Sequence, residues 1–437
     1  MKNYMYNKKI ETMKREKIKD LQFKRLKATV KRLYENVPYY RRKMKEANVK
    51  PEDIKTLDDI RKLPFTEKED LRKNYPFGLV AVPLEKVVEL HASSGTTGKP
   101  TTVVYTRKDL EVWGEVMARC LAMSGLTKKD IFQNPIPYGL FTGAFGFHYG
   151  ALKIGALIVP SSGGDSKRQI TLMKDYGTTF MSGVVSYALH LAKVAMDMGI
   201  DPSKDLNVRA GLFGAEIFTE SLRKKLNDLW GMDAHNVYGL SEMCGPGVSA
   251  DCDQHDGLHL WEDHFLVECI DPKTGEPVEA EEKGELVIST LTKEAMPLLR
   301  YRTRDLAFIY DCKECDCGRT HVKHSTIVGR TDDMIIVSGT NIFPSQIEEV
   351  VMKHQKGGVE YRIILEKNGY LDVMTVEVES LHPLSEEEKK TLAEYYANEI
   401  KSVTGYKPRV RILDPGTIVR EGIKAKRIID LRPKESS

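Results

Sequence analysis

Val208-Arg209-Ala210-Gly211-Leu212-Phe213-Gly214-Ala215-Glu216, the segment Glu220–Trp230, and then Asp233-Ala234-His235-Asn236-Val237-Tyr238-Gly239-Leu240-Ser241-Glu242 read as strand, helix and strand. The strands are Val208–Phe213 and Asp233–Tyr238, short and apolar-rich, with Glu220–Trp230 as the helix between them. The same rhythm runs upstream. Ala156–Pro160 reads as a strand, followed by a helical stretch through Tyr176, a strand at Thr179–Met181 and a helix over Val184–Gly199. Such alternation predicts an α/β fold with a mostly parallel sheet flanked by helices. Ligands of such sheets bind beyond the C-terminal strand ends. Gly214-Ala215-Glu216 and Gly239-Leu240-Ser241-Glu242 would lie there.

Outward from this block the texture changes twice. Upstream, Thr56-x-x-Asp59, Thr66-x-x-Glu69 and Thr106-x-x-Asp109 have the form of helix-start capping boxes. Downstream, Leu258–Tyr310 is β-rich, with a turn at Asp271-Pro272-Lys273-Thr274-Gly275. Beyond Gly329 come a strand (Met334–Val337), a helix (Pro344–His354) and two strands (Ile363–Leu365, Val373–Val378) flanking the hairpin signal Asn368-Gly369. Ser385-x-x-Glu388 opens a long helix ending near Gly405, and Arg409–Leu413 reads as the final strand. This predicts a large N-terminal domain with a β-rich subdomain over 1–331 and a small α+β C-terminal domain over 332–437.

Composition narrows the function classes. The 437 residues carry 66 basic and 63 acidic side chains, a net +3 that gives no argument for a nucleic-acid partner. The basic stretch Lys2 to Lys50 could be a nucleic-acid arm, but Leu26, Val30 and Leu33 recur at helical spacing and favour an amphipathic helix. No apolar run is long enough for a membrane span, and Glu11, Glu16 and Asp20 interrupt the N-terminal lysines, so a cytoplasmic protein is expected. Seven cysteines, an odd number, argue against a disulfide framework. Three of them, Cys312, Cys315 and Cys317, crowd together and read as metal-binding thiolates or as free thiols in a hairpin.

Ser93-Ser94-Gly95-Thr96-Thr97-Gly98-Lys99-Pro100 lies between apparent strands Val87–His91 and Thr101–Tyr105. Glycines that turn backbone N–H groups inward, hydroxyl donors and one lysine suit phosphate oxygens. An ordinary Ser/Gly turn would also read this way. The stretch is not a Walker A loop, since Ser93, Pro100 and a following strand occupy its defining places.

Four stretches in this order, the hydroxyl-rich loop, Tyr238–Glu242, Tyr301-Arg302-Thr303-Arg304-Asp305 and Gly329-Arg330-Thr331-Asp332-Asp333, resemble the adenylate-forming superfamily of acyl-CoA synthetases. Tyr138-Gly139-Leu140-Phe141-Thr142-Gly143, Trp261-Glu262-Asp263-His264-Phe265 and Asn341-Ile342-Phe343-Pro344-Ser345-Gln346 narrow the resemblance to the phenylacetate–CoA ligase family, from about Tyr34 to the C-terminus. The resemblance implies ATP, Mg²⁺ and coenzyme A as cofactor and co-substrates, an aryl carboxylic acid as substrate, an acyl-adenylate intermediate and a homodimer.

By that resemblance Ser93, Ser94, Gly95, Thr96, Thr97, Gly98 and Lys99 would hold phosphates, with Thr96 also catalytic. Tyr238 would pack on adenine beside Gly239 and Ser241, with Gly214, Ala215 and Glu216 lining the nucleotide. Glu242 would hold Mg²⁺, and Asp305 the ribose hydroxyls unless it simply pairs with Arg302 or Arg304. Arg330 would contact the nucleotide, Asp332 would be the hinge, and Gly339 would line the coenzyme A channel. Lys424 would be the adenylating lysine by register from Arg427-Ile428-Ile429-Asp430, with Lys426 as the alternative; Ile423 stands where the family usually has glycine.

Tyr138, Phe141, Gly143, Phe147, Gly214 and Ala215 would frame a flat acyl slot, though Phe147 equally fits a core position. The acid could be phenylacetate, a hydroxylated or indole analogue, or benzoate. Cys252, His259, Cys315 and Cys317 would hold a structural Zn²⁺, with Cys312 or His255 as substitutes. Competing functions are adenylation of another acceptor, such as a deazaflavin cofactor, and non-catalytic nucleotide binding.

Overall fold

The computed structural model describes residues 4–93, 100–311, 315–337, 340–354, 356–368, 371–419 and 427–432. The basic N-terminal stretch forms helix Arg15–Asn36, whose Ile18, Leu26, Val30 and Leu33 are buried. Two of its arginines are taken up by protein: Arg15 pairs with Glu262, and Arg25 donates to the Asp263 carbonyl and lies 3.8 Å from its carboxylate. The amphipathic reading therefore holds.

Val87–Ala92 (β1) and Thr102–Thr106 (β2) pair antiparallel, with Ala92 opposite Thr102. The following helix, Arg107–Met123, opens on the expected capping box, Asp109 N–H donating to Thr106 Oγ1 at 3.1 Å. The Thr66 box is different. Thr66 is held in backbone hydrogen bonds to Arg300 and Arg302, so the capping pair shifts one residue to Glu67 and Asp70. Thr56 and Asp59 bond as expected but open only a short 3-10 turn, Asp58–Lys62.

The central sheet begins with Ile131–Gln133 (β3), Leu157–Val159 (β4), Phe180–Val184 (β5), Ala210–Gly214 (β6) and Asp233–Leu240 (β7), all parallel, in the order β4-β3-β5-β6-β7. β5 and β6 are buried along their whole length, as sheet strands covered on both faces should be. Helices Ser166–Tyr176, Val185–Asp197 and Glu220–Trp230 lie between the strands in sequence.

The sheet is more mixed than the alternation implies. Gly245–Asp251 (β8) and Leu258–Leu260 (β9) extend it antiparallel beyond β7. Gly245 and Gly247, at φ 88° and 110°, carry this reversal in a region that strongly favours glycine. Phe265–Ile270 (β10), Lys283–Thr290 (β11) and Tyr301–Phe308 (β12) then form an antiparallel sheet, the β-rich segment. Lys323–His324 (β13) returns to β9, and Gly329–Arg330 (β14) adds to β12.

From Ile335 the chain forms a smaller α+β unit. Ile335–Val337 (β15) and Thr340–Ile342 (β16) make a hairpin, followed by helix Pro344–Lys353. Gly357–Asn368 (β17) and Leu371–Ser380 (β18) pair antiparallel through Asn368 and Leu371. Helix Glu386–Thr404 opens on the Ser385/Glu388 box and closes at Gly405, φ 80°. Arg409–Leu413 (β19) joins β18 in parallel. It is not the last strand: Ile428–Asp430 (β20) pairs parallel with β17. Three residues are too few to register as a strand from sequence pattern.

The two units touch through helix Glu220–Trp230. Lys225 Nζ donates to the carbonyls of Gly357 and Gly358 at 2.9 and 3.4 Å, and Ser221 Oγ to Glu349 at 2.8 Å. Burial pushes the Lys225 ammonium down to about 8. No helix among the described residues is long and apolar enough to cross a membrane.

Candidate active site

Tyr238 comes near the C-terminal end of β7, with its ring buried. Its hydroxyl donates to Asp305 Oδ2 at 2.7 Å. Asp305 sits opposite Arg330 in the β12–β14 pair, and Arg330 Nη1 donates to Asp305 Oδ1 at 2.7 Å. Arg330 Nε and Nη2 each reach the Asp332 carboxylate at 3.0 Å. A polar line thus runs from the adenine candidate through the ribose candidate to the hinge candidate. Asp305 does not pair with its sequence neighbours: Arg302 binds Glu285 at 2.6 Å and Arg304 binds Glu67 at 3.3 Å. Burial pushes the Asp305 carboxyl up to about 6, against the opposing pull of the Arg330 guanidinium.

Glu242 follows in the β7–β8 connection. It is buried, and Tyr301 Oη donates to its Oε1 at 3.1 Å. Lys293 supports this turn from behind, donating Nζ to the carbonyls of Glu242 and Met243 at 3.3 and 2.7 Å. Burial pushes Lys293 down to about 8, and its ammonium lies 4.7 Å from the Tyr105 ring centre. Ser241 Oγ lies 3.1 Å from Thr142 Oγ1. Gly239 makes the turn possible, since a Cβ there would meet the Gly245 carbonyl at 2.2 Å. Gly214 serves the sheet in the same way, with Val237 O only 2.4 Å from where its Cβ would be. Ala215 holds a left-handed φ of 67° directly after β6, a strained conformation of the kind found at functional sites. Glu216 accepts from Ser186 N and Oγ at 3.0 and 2.7 Å, at the positive end of helix Val185–Asp197.

The base of the hydroxyl-rich loop is tied to the 138–143 segment. Ala92 N–H donates to Leu140 O at 2.9 Å, and His91 Nδ1 lies 3.2 Å from the same carbonyl. His91 Nε2 faces Glu89 at 2.7 Å, which also accepts from Tyr149 Oη at 2.6 Å. Ser93 N–H donates to Thr101 O. Ser94, Gly95, Thr96, Thr97, Gly98 and Lys99 lie outside the described residues, as do Cys312, Gly339, Ile423, Lys424 and Lys426.

Tyr138 Oη accepts from Asn134 Nδ2 at 2.8 Å and lies 3.0 Å from His148 Nδ1. Phe145 packs edge-on to Tyr138 at 5.4 Å and tilted against His91 at 5.0 Å. Phe141 is 42% exposed and Phe147 only 3%, the latter packed in the main core. Gly143 begins helix Gly143–Ile154, where a Cβ would make only an ordinary contact with Ile136. The aromatic turned toward Tyr138 is therefore Phe145. Its spacing of four from Tyr149 was the available signal, because both pack on one helix face. Lys293 and Tyr301 were also missed as site residues; nothing local in the sequence marks a lysine for burial.

Cys252, His259, Cys315 and Cys317 converge, their ligand atoms all within 4.8 Å of one another. Cys252 and Cys315 sulfurs are 3.7 Å apart, and Cys317 Sγ is 3.4 Å from His259 Nε2. The thiols are free rather than bridged. His259 Nδ1 faces the His321 carbonyl at 3.2 Å, which leaves Nε2 turned to the sulfurs. Three sulfurs and one imidazole are a donor set for tetrahedral zinc. His255 is not part of this set and lies with Asp233 and His235 instead.

The AMP-binding enzyme family model matches residues 20–292, and the AMP-binding enzyme C-terminal domain model matches residues 339–432. The phenylacetate-coenzyme A ligase of Thermus thermophilus is 45% identical, covering 98% of this chain and 100% of that protein. The phenylacetate-coenzyme A ligase of Escherichia coli is 43% identical, covering 97% of both chains. A crystal structure of 2-hydroxyisobutyryl-CoA ligase in the postadenylation state, in complex with R3-HIB-AMP, superposes with a TM-score of 0.90 at 27% identity, covering 97% of this chain and 91% of that one. The same enzyme in the thioesterification state gives 0.72, at 98% and 93% coverage. The smaller unit of this chain is therefore placed as in the postadenylation form. With near-complete coverage at this identity, the chain belongs to the phenylacetate–coenzyme A ligase family of AMP-binding, adenylate-forming enzymes.

Proposed function

We propose that this chain is an ATP-dependent aryl-acid coenzyme A ligase with phenylacetate as its first-choice substrate. A carboxylate oxygen of the acid attacks the α-phosphorus of ATP and pyrophosphate leaves. The sulfur of coenzyme A then attacks the acyl carbonyl and AMP leaves. The observation that carries the reading is Asp305, a buried carboxylate fixed by Tyr238 and Arg330 at the strand ends. Each of its oxygens has a second lone pair that would accept from a ribose hydroxyl, with the Tyr238 ring beside them for the base.

Ser93 to Lys99 would receive the pyrophosphate oxygens and Lys424 the α-phosphate charge. Glu242 would hold Mg²⁺, which neutralises phosphate charge when bound. Tyr138 and Phe145 offer apolar faces to an aryl ring. ATP-dependent pyrophosphate release with a panel of aryl acids, with and without coenzyme A, tests the reading. Multiple turnover with thioester formed only when coenzyme A is present supports it. Release without thioester moves the function to another acceptor, and no release with any acid overturns it.

The smaller unit, residues 332–437, would rotate about Asp332 between the half-reactions and bring Gly339 to the pantetheine arm. Lys225 would then latch the arrangement shared with the postadenylation form, which we take as the one that serves adenylation, because its contacts to Gly357 and Gly358 cross between the units. Lys225→Ala is expected to slow adenylation about tenfold to a hundredfold, the worth of one charged hydrogen bond. Single-turnover thioester formation from supplied acyl-adenylate should be unchanged. Equal loss in both half-reactions would remove the latch role.

Zn²⁺ at Cys252, His259, Cys315 and Cys317 would be structural, joining β8, β9 and the segment before β13. Cys317→Ser should abolish its retention and lower the thermal midpoint by about 3–5 °C, a loss of roughly 3 kcal/mol. An unchanged midpoint after metal loss would show that the cluster does not support the fold. A homodimer is proposed as the assembly, checked by light scattering.

A further inference from the structure

A second cluster lies on the same loop as the cysteine set but belongs to neither it nor the nucleotide site. Asp233 begins β7, His235 follows two residues on, and His255 reaches back from the loop after Cys252. Asp233 Oδ2 is 3.2 Å from His235 Nε2, and Asp233 Oδ1 is 3.1 Å from His255 Nε2. The imidazoles lie beside each other, ring centres 4.9 Å apart. Tyr238 is five residues further along β7, about 16 Å by strand geometry, so the cluster is at the opposite end of the strand from the nucleotide site.

Behind both rings stands one carboxylate. Asp251 is buried, its Oδ1 lying 3.3 Å from His235 Nδ1 and its Oδ2 3.2 Å from His255 Nδ1. The His235 contact is off the line of a hydrogen bond, which leaves that buried ring nitrogen incompletely paired. Asp251 is itself held by Asn236 N–H at 2.7 Å and Arg223 Nη2 at 2.6 Å. A carboxylate on the far nitrogen of each histidine is the outer support that metal-ligating imidazoles use to fix ring orientation.

The geometry points to a second metal site, formed by Asp233, His235 and His255, for a divalent first-row ion of the zinc type. Ligand atoms bonded to tetrahedral zinc at about 2.0–2.1 Å stand about 3.3 Å apart; here one ligand atom from each of the three residues lies within 4.8 Å of the other two, and each imidazole Nε2 is 3.1–3.2 Å from its own oxygen of the Asp233 carboxylate. Two nitrogens and one oxygen suit zinc or its neighbours, whereas magnesium and calcium take oxygen sets. The charge count agrees. Asp233 and Asp251 against Arg223 leave one net negative charge around neutral imidazoles. Arg223 Nη1 lies 2.9 Å from His255 Nδ1. A metal at Nε2 puts that ring's proton on Nδ1, donated to Asp251, and leaves Nη1 to the Ala234 carbonyl, its other acceptor. The competing state is a metal-free ion-pair network with protonated imidazoles.

The test is metal stoichiometry of the full chain, equilibrated with Zn²⁺, desalted and read by plasma mass spectrometry. The expected result is two zinc ions per chain in the parent protein, one in His255→Ala and one in Cys317→Ser. With Co²⁺, His255→Ala should keep the near-ultraviolet thiolate-to-cobalt band and Cys317→Ser should lose it. Asp233→Asn, a milder change at a partly exposed carboxylate, should weaken the second equivalent at least tenfold if His255→Ala fails to fold. One zinc in the parent, all lost in Cys317→Ser, overturns the proposal and leaves the ion-pair network. Two zinc ions retained in both His255→Ala and Asp233→Asn overturn it equally.

Discussion

Asp305→Asn is expected to lower kcat/KM for ATP by about 10²–10³ while raising the stability of the protein at neutral pH. The two effects have one cause. The carboxylate is buried and, among the described residues, its side-chain partners are Tyr238 Oη and Arg330 Nη1; burial has raised it to about 6. Two hydrogen bonds from ribose hydroxyls to a charged acceptor are worth about 1.5–3 kcal/mol each, which sets the size of the kinetic loss. The sign of the stability effect follows from linkage. A group whose folded pKa lies above its unfolded value stabilises the fold fully below the unfolded pKa. That stability is lost as pH rises through the folded value, here about 6. A shift of about two units corresponds to about 3 kcal/mol of cost for holding the ionised form at neutral pH. Asparagine keeps the shape without the charge, and Arg330 keeps Asp332 as a partner. A gain of about 2–4 °C in the thermal midpoint is expected at pH 7.5 and none at pH 4. In the parent protein kcat/KM for ATP should fall as pH drops through about 6, and that limb should vanish in the variant. A variant that melts lower and binds ATP normally would return Asp305 to a structural role.

The strand–helix rhythm from Ala156 to Tyr238 was legible because buried parallel strands are short apolar runs and their covering helices are amphipathic. Helix Glu220–Trp230 and strand Arg409–Leu413 fall where the pattern places them. What resisted reading depends on partners distant in sequence. β8 and β9 reverse direction through glycines whose φ no periodicity reveals. Thr66 looks like a helix cap until its backbone is taken up by β12. Asp305 has two arginines beside it in sequence and chooses a third, twenty-five residues on, because β14 places it opposite. The four residues expected in the cysteine set do converge. The histidine pair was not legible, because Asp233, His235 and His255 carry no metal-motif spacing and meet only through the β7–β8 pairing.

Lys424→Ala should separate the two half-reactions. Lys424 and Lys426 flank Ala425, outside the described residues, and the chain that follows them is firmly anchored. Arg427 Nη1 bonds Glu360 at 2.7 Å and the Tyr361 carbonyl at 3.1 Å, with its guanidinium 4.4 Å from the Tyr361 ring centre. Ile428–Asp430 is locked into β20 against β17. The chain directly after the two lysines is therefore fixed to the smaller unit. On the proposed function one of the two lysines would meet the α-phosphate, where negative charge accumulates as the carboxylate attacks. A cation placed there is worth about 10²–10³ in rate, like other groups that stabilise a developing oxyanion. On the proposed rotation the smaller unit would turn once the adenylate has formed, and that cation would no longer serve. Lys424→Ala should thus slow pyrophosphate release by about 10²–10³ and leave thioester formation from supplied acyl-adenylate within about twofold. Lys426→Ala should leave both steps near the parent rate. The opposite pattern would move the adenylating role two residues along, to Lys426, and equal damage in both half-reactions would show that the lysines hold the segment rather than the phosphate.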